Sequence, residues 1–266
     1  VTLYAVWASW KAVGNAGVSA GSAYNTSLAI DASGTPYVAY EDDDNSKKAS
    51  VMKYNGSAWV QVGSAGFSAD IAGTTSLAID SSGTPYVAYK DFGYSSKACV
   101  MKYNGSAWAQ VGTAGFSAGY ADYTSLAIDA SDMPYVAYMD YVKSYKASVM
   151  RYDGSAWVQV GTAGFSAGRA EYTSLAIDSS GTPYVAYYDS ANDNKASVMK
   201  YNGSAWVQVG SAGFSAGEAK YTSLAIDASG TLYVAYYDTA NDNKASVMKY
   251  DGSAWVQVGF AGFSAG

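Results

Sequence analysis

The chain has 266 residues, and its 16 Lys and Arg against 22 Asp and Glu give a formal charge of −6. That balance excludes a broad nucleic-acid-binding face, which needs clustered basic charge to replace counterions. A single Cys and no His rule out an internal disulfide, His-based triads and the usual zinc sites.

Residues 1–8 (VTLYAVWA) precede a repeat that then runs without insertion. Trp10, Trp59, Trp108, Trp157, Trp206 and Trp255 stand 49 residues apart, as do the TSLAID strings that begin at Thr26, Thr75, Thr124, Thr173 and Thr222. Five units of 49 fill 245 residues, and the other 21 supply a sixth copy of the Trp segment. Self-similarity at this period points to a stacked or circular architecture.

In the second unit, Thr75–Asp80 reads as the first strand and Asp80-Ser81-Ser82-Gly83-Thr84 as a turn. Pro85 opens a second strand, PYVAYKD, where a first residue tolerates the missing N–H. A variable loop and the third strand, KACVMKY, follow. Asn104-Gly105 is a two-residue hairpin signal, matched by Asn55-Gly56, Asp153-Gly154, Asn202-Gly203 and Asp251-Gly252. The fourth strand, SAWAQVG, leads through a Gly/Ala/Ser crossing into the next unit. No stretch has a helical period.

These signals predict an all-β chain, a five-bladed β-propeller of four-stranded antiparallel blades over residues 9–266. A sixth blade completed by other chain is the alternative. The outer strand is duplicated at the termini, as Ser9–Gly14 and Ala254–Gly259. We expect the N-terminal copy to zip onto the last blade and close the ring of a monomer, with strand exchange between chains as the alternative. No apolar run is long enough to cross a bilayer, so a soluble chain without membrane insertion is expected.

The unit TSLAIDSSGTPYVAYYD…KASVMKYNGSAW resembles the SLALDSSGNP-type repeats of bacterial and other secreted β-propellers over nearly the whole chain. Its blade count is similar to that of five-bladed lectins of the tachylectin-2 type, in architecture alone. Residues 1–8 are similar to the closing strand of the Listeria–Bacteroides cell-surface repeat, which implies a remnant of a preceding domain. Together these resemblances imply a secreted or surface protein of a bacterium.

Between units, differences gather in two stretches. One follows PYVAY and contributes Glu41, Asp43 and Asn45; Lys90, Phe92 and Tyr94; Met139, Tyr141, Lys143 and Tyr145; Tyr188 and Asn192; Tyr237 and Asn241. The other precedes TSLAID and contributes Tyr120 and Asp122, Arg169 and Glu171, Glu218 and Lys220. In an up-and-down meander both stretches fall on one rim, opposite the invariant ASGT and NGSA turns. Loops on a rigid scaffold carry binding, and a Tyr-rich polar mixture is typical of paratopes. We therefore expect these residues to form a ligand-binding face for a protein or glycan. The alternatives are a multivalent lectin with five equivalent inter-blade pockets and a rigid spacer. Free drift of exposed loops would also vary them, but it leaves the fixed Ser and Ala of the opposite turns unexplained.

The repeated Trp is expected to pack between blades, and Asp42 with Lys48 to form a cross-strand ion pair. Asp31-Ala32-Ser33-Gly34-Thr35 lacks the Ser-x-Asp-x-Gly-x-Thr-Trp order of a sialidase Asp-box and reads as a turn. Calcium could use Glu41-Asp42-Asp43-Asp44-Asn45 or Asp189 with Asn192-Asp193-Asn194, but units two and three lack these acids and the spacing matches no EF-hand loop, so no metal and no cofactor is assigned. Cys99 replaces a strand Ser and reads as buried. Catalysis has no His and no paired Glu to rest on, so we expect none.

Overall fold

The computed structural model describes residues 11–264, so the reading of residues 1–8 and of Ser9 and Trp10 lies outside it. Twenty strands form five sheets of four, each in simple antiparallel order. The first blade holds β1 (Ala23–Ile30), β2 (Pro36–Asp42), β3 (Lys48–Tyr54) and β4 (Trp59–Gln61). The second holds β5 (Ala72–Ile79), β6 (Pro85–Asp91), β7 (Lys97–Tyr103) and β8 (Trp108–Gln110). The third runs β9 (Ala121–Ile128), β10 (Pro134–Asp140), β11 (Lys146–Tyr152) and β12 (Trp157–Gln159), and the fourth β13 (Ala170–Ile177), β14 (Pro183–Asp189), β15 (Lys195–Tyr201) and β16 (Trp206–Gln208). The fifth ends the array with β17 (Ala219–Ile226), β18 (Leu232–Asp238), β19 (Lys244–Tyr250) and β20 (Trp255–Gln257). The chain is a five-bladed β-propeller, as its repeat predicts.

The innermost strand is longer than expected. It begins at Ala72 rather than Thr75, because the register shifts between Gly73 and Ser76. The extra residue of this bulge is left-handed in every blade: Asn25, Thr74, Tyr123, Tyr172 and Tyr221 have φ of 49° to 53°. A bulge bends and twists its strand, and here it turns the start of each inner strand into the central channel.

The TSLAID string now has a physical meaning. In blades two to five the Thr hydroxyl donates to the carbonyl of the preceding blade's bulge residue, as Thr124 does to Thr74. Each Ser hydroxyl accepts from the next blade's Leu amide, as Ser76 does from Leu126 at 2.9 Å. Apolar packing fills the space between. The rear of blade one (Ala39, Ala49, Val51, Val62) meets the front of blade two (Leu77, Val87, Tyr89). Blades are thus apolar on both faces. At the outer edge Phe67 stacks on Trp108 with centroids 4.0 Å apart, and Trp108 Nε1 donates to the Val62 carbonyl at 2.9 Å. Gly63 sits beneath that ring with φ +66°, where a Cβ would lie 3.0 Å from the indole. The Trp is inter-blade packing, as expected.

Among the described residues four junctions of this kind are made, between β1 and β5, β5 and β9, β9 and β13, and β13 and β17. Leu28 is 63% exposed where Leu77 is 6%. The last blade is completed by the C-terminal copy, because β20 pairs with β19 from Tyr250↔Trp255 to Met248↔Gln257. This corrects the expectation that the N-terminal copy would close the ring. A short Asp251-Gly252 turn brings β20 onto β19, whereas the N-terminal copy would have to close a loop of the whole chain, at greater entropic cost. Residues 13–21 lie instead against blade one, where Val13 accepts from Trp59 Nε1 at 2.7 Å.

Cys99 is buried, as expected. In the other blades a Ser hydroxyl at this position donates to the buried Asp at the end of the second strand, as Ser148 does to Asp140 at 2.9 Å. Asp91 receives no such bond from Cys99, and burial raises its pKa. Burial also pushes the thiol up to about 12, so it should resist thiol reagents until the protein unfolds. We expect Cys99→Ser to stabilise the fold by about 1 kcal/mol, a typical net hydrogen bond. Denaturant titration checks this; a loss of stability would refute it.

Candidate functional site

Both variable stretches project from one rim of the blades, as the meander requires. After each second strand the chain makes a single 3₁₀ turn, Asp43–Asn45, Phe92–Tyr94, Tyr141–Lys143, Ser190–Asn192 or Thr239–Asn241. The buried Asp before it organises the turn. Asp140 accepts from the Val142 amide at 3.1 Å and from Ser148 Oγ, and Ser148 Oγ in turn accepts from the Gly164 amide at 2.9 Å. One carboxylate therefore ties the turn, the third strand and the crossing together. The Asp42–Lys48 ion pair expected from sequence is not among the ion pairs of the described residues. The two are opposed in the backbone ladder, but the Asp side chain is held by Ser50 and Asn45.

Several residues expected to face a ligand are committed inside the protein. Glu41, Lys90 and Met139 are buried, because they precede the turn and still belong to the second strand, where neighbouring blades cover them. Tyr188 and Tyr237, at the same position, are half-buried against Tyr172 and Tyr221. Asn45, Asn192 and Asn241 donate to Asp42, Asp189 and Asp238. The charged residues of the crossings satisfy one another: Arg169 pairs with Glu171 at 2.6 Å and Lys220 with Glu218 at 3.5 Å.

Lys90 reaches Asp122 and the Tyr120 hydroxyl, both at 3.0 Å. Burial works against its charge, but Tyr120 and Asp122 outweigh it and hold the ammonium pKa above its usual value. Among the residues expected here, Asp43, Phe92, Tyr94, Tyr141, Lys143, Tyr145 and Arg169 are exposed. On blades two and three the turns leave Phe92, Tyr94, Tyr141, Val142 and Tyr145 as exposed apolar groups. Tyr145 lies 5.1 Å from Tyr141 and beneath Arg169 at 4.8 Å. The structure thus brings one sector of the variable rim together and leaves the rest dispersed.

The opposite rim carries a feature that recurs. Between blades three and four a cavity of about 510 Å³ is lined by Tyr135, Arg151, Tyr184, Lys200 and Tyr201, with Ser180–Pro183 as its floor. Equivalent cavities lie between blades four and five, about 510 Å³, and between blades one and two, about 390 Å³. Each has a Tyr wall and two cations: Lys200 and Lys249 in one, Lys53 and Lys102 in the other. Sequence comparison between units passed over these residues because they do not vary. Their signal is that invariance, Tyr at 37, 86, 135, 184 and 233 with Lys or Arg at 53, 102, 151, 200 and 249.

The invariant turns around these cavities are hydrogen-bonded in a way that explains their fixed Ser. Asn55 Oδ1 accepts from the Ser57 amide, the Ser57 hydroxyl and the Ala58 amide. Asp31 Oδ1 accepts from the Ser33 amide and hydroxyl and the Thr35 amide. Invariance at this rim is therefore a demand of the turn, and the contrast between the rims does not by itself distinguish selection from drift. Asp153 makes the same bonds, and the Ala156 and Ser155 amides with the Ser155 hydroxyl hold its carboxyl down at about 2. Asp251 is lowered likewise, by Ala254 and then Ser253. A depressed native pKa stabilises above the unfolded value, near 3.9, and that contribution is lost as pH falls through the native value. Between pH 4 and 2 the melting temperature should fall. Asp153→Asn with Asp251→Asn, the residue of the other three turns, should flatten that fall; calorimetry at the two pH values checks it.

No family model matches the chain, and no curated protein matches it either. Solved structures share the fold. The Aleuria aurantia lectin AAL, in complex with Fucα1-6GlcNAc, is similar at 18% identity with a TM-score of 0.58, over 91% of this chain and 80% of that one. The SapL1 lectin, in complex with α-methyl fucoside, is similar at 16% identity with a TM-score of 0.62, over 88% and 80%. The Hadza microbial sialidase Hz136 is similar at 12% identity with a TM-score of 0.61, over 88% and 57%.

Proposed function

We propose that this propeller is a non-catalytic, multivalent carbohydrate-binding module of a secreted or cell-surface protein, with its sites in the inter-blade cavities of the invariant rim. The observation that carries this reading is the recurrence of one cavity between different blade pairs, each with a Tyr wall, hydrogen-bonding turns and two cations. An aromatic face with a few convergent polar groups suits a sugar ring. Two cations per cavity on a chain of net charge −6 favour a glycan bearing carboxylate or sulfate. The lectins among the structural neighbours make glycan binding plausible on this fold. Asp251, which lines one of these cavities, is already engaged by the Ala254 and Ser253 donors that lower its pKa and makes a poor general acid.

Each site would be weak, on the order of millimolar, and arraying them would supply avidity. Calorimetric titration with uronate-containing oligosaccharides should give more than one site per chain. Lys200 lines two cavities, so Lys200→Ala should remove two of the sites, and Tyr141→Ala none.

A second reading is supported by the exposed aromatic sector of blades two and three, which would hold a macromolecular partner through Phe92, Tyr94, Tyr141 and Tyr145. If Tyr141→Ala abolished glycan binding and Lys200→Ala spared it, the function would move to that sector.

A further inference from the structure

At the variable rim the central channel opens through a depression of about 250 Å³, to which every blade contributes the same two positions. These are the left-handed bulge residue and the Thr that follows it. Three of the five bulge residues are tyrosines. The Tyr172 ring lies 4.7 Å from that of Tyr123 and 4.6 Å from that of Tyr221, centroid to centroid, so the three form an arc around the mouth. The other two positions hold Asn25 and Thr74, whose small side chains leave the arc open. Tyr123 and Tyr221 end it, each with one neighbour in the arc, and Tyr221 is 67% exposed.

The polar groups around this opening have largely used their hydrogens. Thr75, Thr124, Thr173 and Thr222 donate to the carbonyls of the preceding bulge residues. Thr124 is thereby committed, so Thr74 is the donor in the 3.2 Å contact between their hydroxyls. Asn25 Nδ2 donates to Glu41 at 2.7 Å, and the Tyr123 hydroxyl donates to Glu171 at 3.3 Å. What is left for a ligand is electron density: hydroxyl lone pairs, Asn25 Oδ1 and the negative faces of the rings. The acids nearby differ in one respect. Asp122, Glu171 and Glu218 are paired with Lys90, Arg169 and Lys220, whereas Glu41 makes no ion pair among the described residues. It is buried, a costly state for a carboxylate without a cation, and Asn25 connects it to the edge of the opening.

We propose that the channel mouth binds an alkylammonium group, either a free amine or the tip of a lysine side chain, in the gap between Tyr221, Asn25, Thr74 and Tyr123. Its N–H groups would meet the Thr and Asn oxygens, and the ring faces and Glu41 would favour its charge. An anion would meet like charge there, and a neutral polyol would find few donors. The site lies on the rim opposite the inter-blade cavities and does not depend on what those cavities hold.

Side-chain chemical-shift titration with n-butylammonium chloride at constant ionic strength tests this. Resonances of Tyr123, Tyr221 and the Thr74 methyl should move together, with a dissociation constant on the order of millimolar. n-Butanol, similar in length and uncharged, should leave them in place. Thr74→Tyr should abolish the shifts at Tyr123 and Tyr221. Three units already carry Tyr at this position, so the variant extends the arc on an unchanged backbone, which an unchanged melting temperature verifies. Glu41→Gln should weaken binding by about threefold to tenfold. Nα-acetyl-lysine amide separates the two sources: binding tighter than n-butylammonium assigns the site to a lysine side chain, weaker binding to a free amine. The proposal is overturned if n-butylammonium moves none of these resonances up to about 100 mM, or if n-butanol moves them equally. Undiminished binding by either Thr74→Tyr or Glu41→Gln would overturn it as well.

Discussion

Trp157→Ala should destabilise the protein by about 2–4 kcal/mol, somewhat less than emptying a fully buried aromatic site, because the indole is half-buried. The indole stacks on Phe116 of the preceding blade with centroids 4.1 Å apart and donates to the Val111 carbonyl at 2.9 Å. It also covers Gly112, where a Cβ would lie 2.9 Å from the ring. Nothing of like size can refill the gap, because the backbone there is left-handed at φ +64°. Trp59 offers an internal comparison. Its indole bonds to Val13, but Val18 stands where other units place the stacking Phe, so Trp59→Ala should fall at the lower end of that range. Urea unfolding followed by circular dichroism measures both. Equal losses at the two sites, or a Trp157 variant with unchanged stability and lost glycan binding, would return the ring to a ligand-facing role.

The repeat was legible because each unit uses the same contacts. Thr124, Ser125 and Leu126 all bond across a junction, so none of them is free to change. The bulge was not legible, since Asn25, Thr74 and Tyr123 share no side-chain property that announces a left-handed backbone. It arises because the inner strands must bend around the channel, a demand of tertiary packing that overrides local preference. The choice of terminal strand was hidden for a different reason. Both copies carry the same residues, so only connectivity separates them, and β20 follows its partner after a short turn.

At the site, variation misled in a specific way. Glu41, Lys90 and Met139 differ between units not because they meet different ligands but because each blade pair fills one buried space with different chemistry. Lys90 does so with Asp122 and Tyr120 of the next blade, whereas Glu41 accepts from Asn25 of its own blade at 2.7 Å. The cavity residues Tyr184 and Lys200 were overlooked for the converse reason. In a near-perfect repeat, a binding residue used in every unit looks the same as a structural one. Only the three-dimensional convergence of the Tyr, the cation and the turn sets it apart.

Asp140→Ala should cost about 2–5 kcal/mol, which we argue from the donors it would strand. The carboxylate is buried and takes one bond from the Val142 amide and one from Ser148 Oγ. Each donor left unsatisfied in the interior costs about 1–3 kcal/mol. Ser148 Oγ also accepts from the Gly164 amide, so the loss should spread from the turn to the crossing into blade four. The damage should be confined to the variable rim, where Tyr141–Lys143 would lose its N-terminal anchor, and the cavities at the far rim should keep their shape. Blade two bounds the effect, since Asp91 holds its turn through Gly93 at 2.9 Å and meets the Ala69 amide only at 3.3 Å, without any Ser donor. Asp91→Ala should therefore cost less than Asp140→Ala. Chemical denaturation ranks the two, and glycan titration of the Asp140 variant separates the rims. If it binds like the wild type while Tyr141 gains exposure, the turns and the cavities are independent parts of one scaffold; if binding is lost at equal fold stability, the variable rim takes part in holding the ligand.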